Sequence, residues 1–292
     1  MSYLQAIVIG LLQGITELFL ISSLGHSVLL PAFLGWDNIT GAQAAQESFY
    51  LAFLVGLHVA TAIALLIFFR ETWQRIISGF FRTVRRRKIE TPDERLAWLL
   101  IIATVPTGLV GLLFEHTLRT IFAKPTAAGA FLIVNGVILF LGERLRRRSE
   151  VSRLTSGQGT GSETSRPLDT LKPREAGVVG LAQVLSLFAG ISRSGVTMVA
   201  GLLTGLDHED AARFSFLLAT PIIFAAGVYK IPDLIGPNGN GVRGQVLVGS
   251  VCAGLAAYAA VRFLMRWFET RTLTPFAIYS VVIGTIALIR FA

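Results

Sequence analysis

Six apolar stretches, at residues 49–69, 96–114, 127–141, 214–229, 246–264 and 276–289, constrain this chain more than anything else in it, and none contains an acidic side chain. They approach or reach the roughly 20 residues that carry a helix across a bilayer's hydrocarbon layer. No water is available there to satisfy the backbone, so a spanning segment must close its own hydrogen bonds, as a helix or within a closed barrel. Long apolar runs without period-2 alternation select the helix. The composition agrees: 53% of the 292 residues are hydrophobic and only 15% charged, where a soluble domain carries about a quarter charged. The expected class is therefore an all-α polytopic membrane protein with six transmembrane helices. The net charge of +8 gathers around Arg85-Arg86-Arg87-Lys88 and Arg144–Arg148. That distribution speaks for orientation and contact with anionic lipid, not for nucleic acid. Cys252 is the only cysteine, which excludes an internal disulfide and a thiolate metal site. The N-terminus has no basic region and no small-residue cleavage site, so no removable signal peptide is expected.

Two polar islands interrupt this apolar background. Gln13-Gly14-Ile15-Thr16-Glu17 and Ile21-Ser22-Ser23-Leu24-Gly25-His26-Ser27 stand between apolar arms at 1–12 and 28–34, each too short to span. The second island, Gly190-Ile191-Ser192-Arg193-Ser194-Gly195-Val196-Thr197, interrupts the stretch 176–206. Each reads as a re-entrant helix–loop–helix, because irregular backbone survives at membrane depth only when buried in protein or lining a cavity. Glu47-Ser48-Phe49-Tyr50-Leu51-Ala52-Phe53 echoes Arg213-Phe214-Ser215-Phe216-Leu217-Leu218-Ala219, one after each broken segment. The plan is one broken segment plus three spans, twice. Three crossings is an odd number, so the halves take opposite orientations and form an inverted repeat. The expected bounds are about 1–148 for repeat 1, about 149–173 for a flexible Ser/Thr/Gly-rich cytoplasmic linker, and about 174–292 for repeat 2. The first basic loop, at 70–95, is expected in the cytoplasm, with the first broken segment on the outer side.

The islands also carry the chemistry. A charged side chain at membrane depth costs at least a few kcal/mol, which makes Arg193 a functional candidate. Hydroxyls at Ser192, Ser194 and Thr197 surround it, and Gly190 and Gly195 let backbone N–H groups approach a ligand. Guanidinium, hydroxyls and amides together form a phosphate cradle; the alternative is an arginine snorkelling to the headgroups. Gln13 and Glu17 are four apart and share a helix face. A buried Glu17 needs a cation or donor, and Arg193, His26 or a divalent metal could serve. Ser22 and Ser23 are candidate nucleophiles, with His26 as base or acid; packing without chemistry is the bland alternative. His58 and Asn135 read as interhelical hydrogen-bond partners, and His208 as a solvated residue near a segment end.

Taken together, Gln13–Glu17 with Ser22–His26, and Gly190–Thr197, resemble the undecaprenyl-diphosphatase family, also called the bacitracin-resistance protein family. The similarity extends through Phe214–Ala219 and Pro275-Phe276-Ala277-Ile278-Tyr279. It implies an enzyme of the bacterial cell membrane that hydrolyses undecaprenyl diphosphate to the monophosphate and inorganic phosphate, with a divalent cation, Mg²⁺ or Ca²⁺. The family fold has two re-entrant segments and six spans in inverted repeats, often as a homodimer. By position, Glu17, Ser23, His26 and Arg193 match its catalytic set. Gln13, Ser22, Gly190, Ser192, Ser194 and Thr197 match its substrate contacts, with Glu17 and Gln13 toward the metal.

Four positions depart from that pattern. Leu20 and Ala189 stand where the family usually has proline, Leu24 where it has threonine, and Gln13 where many members have glutamate, though an amide there is also familiar. Looser turns and weaker phosphate or metal binding are expected from these losses, as in a divergent paralogue with reduced activity. A prenyl-phosphate flippase or small-anion transporter would use the same midplane site, but would have no need of the Glu17, Ser23 and His26 constellation.

Overall fold

The computed structural model describes residues 1–43, 49–122, 124–155, 166–235 and 241–292. Glu47 and Ser48 of the expected echo, the middle of the expected linker and residues 236–240 of the second outer loop lie outside them. Among the described residues the regular structure is helical, apart from one isolated bridge between Arg166 and Leu206. The first half holds α1 (Tyr3–Thr16), α2 (Ser23–Phe33), α3 (Asp37–Gln43), α4 (Phe49–Phe68), α5 (Arg70–Arg86), α6 (Pro92–Phe122) and α7 (Pro125–Thr155). The second holds α8 (Pro173–Gln183), a 3₁₀ turn (Val184–Leu187), α9 (Arg193–Leu203), α10 (His208–Ile235), α11 (Arg243–Phe268) and α12 (Thr274–Phe291).

The helix starts are written locally. Ser2 and Gln5 close a capping box on α1, in which side chains satisfy the first free N–H groups. Thr91 and Glu94 do the same for α6, with Glu94 N–H donating to Thr91 Oγ1 at 3.3 Å and Thr91 N–H to Glu94 Oε2 at 3.1 Å. Proline opens α6, α7 and α8, where its missing N–H has no partner to lose. Five helices, α6, α7, α10, α11 and α12, are long and apolar enough to cross a membrane; α4 makes a sixth when taken with α5, which turns 87° away from it.

That turn corrects the expectation of a loop at 70–95. Thr72, Ile76, Gly79 and Thr83 recur on one face of α5 and are buried, while Arg70, Arg75, Arg82, Arg85 and Arg86 are exposed. Apolar and small residues at i, i+4, i+7 and i+11 make an amphipathic helix, as suits a segment lying along a membrane interface. The basic run after the third apolar stretch is likewise helical, because α7 continues to Thr155.

Small residues set how closely the helices meet. A Cβ on Gly10 would lie 2.4 Å from the Gly249 carbonyl oxygen, and one on Gly14 2.3 Å from that of Ala253, so α1 rests directly on the backbone of α11. In the same way a Cβ on Gly180 would lie 2.4 Å from the Ala103 carbonyl oxygen, seating α8 on α6. Helices α7 and α12 meet through Gly129 and Gly284. Lipid tails are as apolar as leucine, so van der Waals contact at such short range is what holds membrane helices together.

The approach to α8 is fixed by a clasp. Arg166 Nη1 and Nη2 donate to Glu175 Oε1 and Oε2 at 3.0 and 3.1 Å, and Nη1 also donates to the Thr204 carbonyl oxygen at 3.2 Å. The hydrogen bonds from Arg166 hold the Glu175 carboxyl below its ordinary range.

Replacing Gly10 by valine should force α1 off α11. We expect destabilisation of about 1–3 kcal/mol, the usual cost of overpacking, measured as a lowered unfolding midpoint in detergent micelles.

Candidate functional site

The two helix breaks, at 17–22 and 188–192, are built alike and meet. Ser22 caps α2, its Oγ accepting from Gly25 N–H at 3.2 Å, and Ser192 caps α9, its Oγ accepting from Gly195 N–H at 3.1 Å. Serine is a preferred cap because its oxygen satisfies a free backbone donor. The residue after each cap, Ser23 in one break and Arg193 in the other, is the first of its helix. Both reach the same carboxylate. Ser23 Oγ donates to Glu17 Oε2, and Arg193 Nη2 forms an ion pair with Glu17 Oε1. Gln13, one turn before Glu17 on α1, donates from Nε2 to Oε2 at 2.9 Å. Glu17 is buried, and these groups supply the cation and donors that a carboxylate removed from water needs.

The breaks are also tied to each other. Gly190 N–H donates to Ser22 Oγ at 3.1 Å. Gly190 has φ +115°, and a Cβ there would lie 2.5 Å from the Ala128 carbonyl oxygen, so only glycine fits. Ser22 itself adopts φ 68°, a left-handed conformation that non-glycine residues take rarely. Asn135 on α7, wholly buried, spans both breaks: its Nδ2 donates to the Leu20 carbonyl oxygen at 2.8 Å and to Ser280 Oγ at 3.1 Å, and its Oδ1 accepts from Ser192 N–H at 2.9 Å. The looser turns expected at Leu20 and Ala189 are thus countered from outside the turns, with both side chains buried.

Gln13, Glu17, Ser23 and Arg193 therefore converge. The other sequence candidates are placed differently. His26 does not point at Ser23; its Nδ1 lies 2.8 Å from the Ser22 carbonyl oxygen and its Nε2 2.9 Å from the Tyr279 hydroxyl. A carbonyl can only accept, so Nδ1 carries the proton, and in the neutral ring Nε2 accepts from Tyr279. Ser192, Ser194 and Thr197 were expected to offer hydroxyls to a ligand, yet all three are buried and engaged within the protein. Ser192 and Ser194 bond each other at 3.0 Å, and Thr197 Oγ1 bonds Ser215 Oγ at 2.7 Å and the Arg193 carbonyl oxygen at 2.7 Å. Their physical task is to cap and brace α9 behind the guanidinium. Leu24, where a threonine was expected, is 38% exposed, so the missing hydroxyl belongs to the surface next to Ser23.

Three residues join the site without having been assigned to it. His58 on α4 holds Nε2 3.5 Å from Glu17 Oε2, with Nδ1 donating to the Leu54 carbonyl oxygen at 2.7 Å. Asn135 and Tyr279 are the other two. His58 carried the available signal, an ionisable group inside an apolar span; nothing local marked Tyr279. His208, expected to be solvated, is buried and lies 2.8 Å from Glu143 Oε2 and 2.7 Å from Arg146 Nη1. The helical continuation of α7 past its apolar stretch brings those partners to it.

The donor set bears on a metal. Glu17 is the one carboxylate in the cluster and both its oxygens are engaged, and among the described residues no three His, Cys, Asp or Glu side chains converge. These residues do not form a resident all-protein cation site.

Comparison with known proteins matches this architecture to a family. Residues 6–286 match the family described as bacitracin resistance protein BacA. The chain is 55% identical to undecaprenyl-diphosphatase 2 of Frankia alni, over 100% of this chain and 98% of that protein. It is 56% identical to undecaprenyl-diphosphatase of Mycolicibacterium paratuberculosis, with the same coverage. Identity is 42% to undecaprenyl-diphosphatase 2 of Chromobacterium violaceum, over 99% of each chain.

Changing Asn135 to alanine would strand the Leu20 carbonyl and the Ser192 N–H in the interior. An unpaired buried group costs about 1–3 kcal/mol. We expect a loss of that size in unfolding free energy and faster amide exchange at Ser192, read by hydrogen–deuterium exchange.

Proposed function

This chain belongs to the bacitracin resistance protein BacA family, and on that footing we propose that it hydrolyses undecaprenyl diphosphate to undecaprenyl phosphate and inorganic phosphate. The product re-enters cell-wall synthesis as the lipid carrier, and its supply confers bacitracin resistance. The observation that carries this reading is the convergence of a serine hydroxyl and an arginine on one buried carboxylate, from two helix breaks distant in sequence. Transport alone needs an anion clamp; it has no use for a serine hydroxyl already bonded to a base.

In the proposed mechanism Arg193 turns from Glu17 to the diphosphate and holds its non-bridging oxygens, where charge builds as the bond breaks. Ser23 Oγ attacks the terminal phosphorus while its proton passes to Glu17 Oε2. The bond from that phosphorus to the bridging oxygen breaks, and undecaprenyl phosphate leaves with the electron pair. Water then attacks the phosphoserine, giving inorganic phosphate and regenerating Ser23. His26, aligned by the Ser22 carbonyl and Tyr279, exchanges protons with the phosphate oxygens. Gln13 and His58 keep Glu17 oriented. A divalent cation, Mg²⁺ or Ca²⁺, would enter as the counter-ion of the substrate and would supply charge neutralisation on the diphosphate; the Glu17 carboxylate, once released by Arg193, and the Gln13 side-chain carbonyl would be the residues to hold it.

The same proposal includes the fold expected for the family: six spans and two re-entrant segments in an inverted repeat, with a homodimer in the bacterial plasma membrane. Repeat 1 covers about 1–148, the linker about 149–173 and repeat 2 about 174–292. An exchange of partners supports it: α1 of the first broken segment packs on α11, and α8 of the second packs on α6. Gln183 precedes Ser192 by the interval at which Gln13 precedes Ser22.

Purified protein with undecaprenyl diphosphate and Mg²⁺ should release phosphate. Arg193→Ala should slow release by about 10²–10³-fold, as for loss of a charge-stabilising donor; release at the wild-type rate would refute the clamp. Ser23→Ala should lower it by at least about 10³-fold, whereas a loss below tenfold would assign the attack to water.

The cation assignment gives a separate expectation. Calorimetric titration of the protein with Mg²⁺ alone should show no saturable site in the micromolar range, and one should appear once a diphosphate is present. A tight site in the substrate-free protein would overturn the assignment.

A further inference from the structure

Where α4 turns into α5, a cavity of about 380 Å³ opens that takes no part in the catalytic cluster. Its volume is that of a small-ligand site. Three arginines line it, Arg70 and Arg75 from α5 and Arg213 from the first turns of α10, with one carboxylate, Glu71, beside them. Thr72 lies between two of them: Arg75 Nη2 and Arg213 Nη2 both approach its Oγ1 at 3.4 Å. The lining also includes Phe68, packed edge-on against Tyr258 at 5.9 Å. By the ~1.5 Å rise per helical residue, Ile67 on its wall stands roughly 13 Å along α4 from His58, which lies beside Glu17.

The charges here are unevenly answered. Glu71 lies 3.9 Å from Arg70 and Asp93 3.4 Å from Arg75. Arg213 has no carboxylate within ion-pair distance among the described residues; Glu209 and Asp210, one turn away, act on it only through space. Its Nη2 reaches Thr72 Oγ1 on the cavity wall. A guanidinium presents five donors in a planar fork that matches phosphate oxygens.

We propose that this cavity binds a phosphate group, seated between Arg213, Arg75 and Thr72, with Phe68 and Tyr258 accepting the apolar part of the molecule that carries it. Arg70, 72% exposed, closes over the anion from the rim. The cluster belongs to the same end of the fold as the basic runs of α5 and the end of α7, the face expected in the cytoplasm, where anionic phospholipid headgroups and free phosphate both occur. The site is independent of the catalytic reading above. It shares two helices with the catalytic cluster, since α4 also carries His58, and α10 carries Ser215 and the Ala219 carbonyl that accepts from Arg193 Nη1 at 3.3 Å.

The test uses the full chain in phosphatidylcholine nanodiscs, as wild type, Arg213→Gln and Arg75→Gln. One arm measures retention of phosphatidylglycerol against phosphatidylcholine by native mass spectrometry; the other titrates inorganic phosphate and follows tryptophan fluorescence. We expect both variants to bind about tenfold more weakly than wild type, the loss of one charge-assisted hydrogen bond. Arginine-dependent retention of phosphatidylglycerol assigns the phosphate to a lipid headgroup. Arginine-dependent saturation by inorganic phosphate alone assigns it to a free anion. Binding that is equal in wild type and both variants in both arms would overturn the proposal. Arg75 is half exposed, 51% at its side chain, so Arg75→Gln keeps the test decisive should Arg213→Gln fail to fold; helical circular dichroism reports that.

Discussion

One ion pair organises this protein. Glu17 and Arg193 stand 176 residues apart in the sequence, both are drawn out of water, and each is the other's countercharge. Removing either would leave a bare charge in the interior, a change that typically costs 3–5 kcal/mol. The surrounding arrangement follows from keeping the pair intact: the breaks that free both residues from regular helix, the serine caps that end those breaks, and Asn135, which holds the two loops in register. The close glycine contacts of α1 on α11 and α8 on α6 then fix the arms that carry the breaks.

Much of this was legible in the sequence, and for a physical reason. In hydrocarbon an apolar run has one cheap conformation, and a polar residue inside it needs a purpose, so both the helices and the islands stand out against a simple background. Glu17, Ser23, Arg193 and Gln13 were singled out that way, and the structure brings the four together. The roles of the hydroxyls were less legible. Ser192, Ser194 and Thr197 look from the sequence like ligands for phosphate, but the same side chains also cap and brace helices, and a cap is told from a ligand only by which way it turns. His58 and Asn135 were legible as interhelical hydrogen-bond partners, but their place beside the site was hidden, as Tyr279 was, because their partners lie far off in the chain. The 87° corner before α5 was hidden because an amphipathic helix and a basic loop share much of their composition.

The departures at Leu20 and Ala189 illustrate how a local rule yields to its surroundings. Proline would stiffen each turn from within. Here the stiffness comes from outside, through the Asn135 amide on the Leu20 carbonyl and the Ser22 hydroxyl on the Gly190 N–H. Rigidity belongs to the assembled site, not to either turn alone.

The paired serine caps have a consequence of their own. The first residues of α2 and α9 both bond the Glu17 carboxylate, which brings the positive dipole ends of the two helices toward one group. Two such ends repel unless something negative stands between them. Glu17 is that negative group: its carboxylate accepts from the first residue of each helix, Ser23 of α2 and Arg193 of α9, so one side chain answers both dipoles and the guanidinium together.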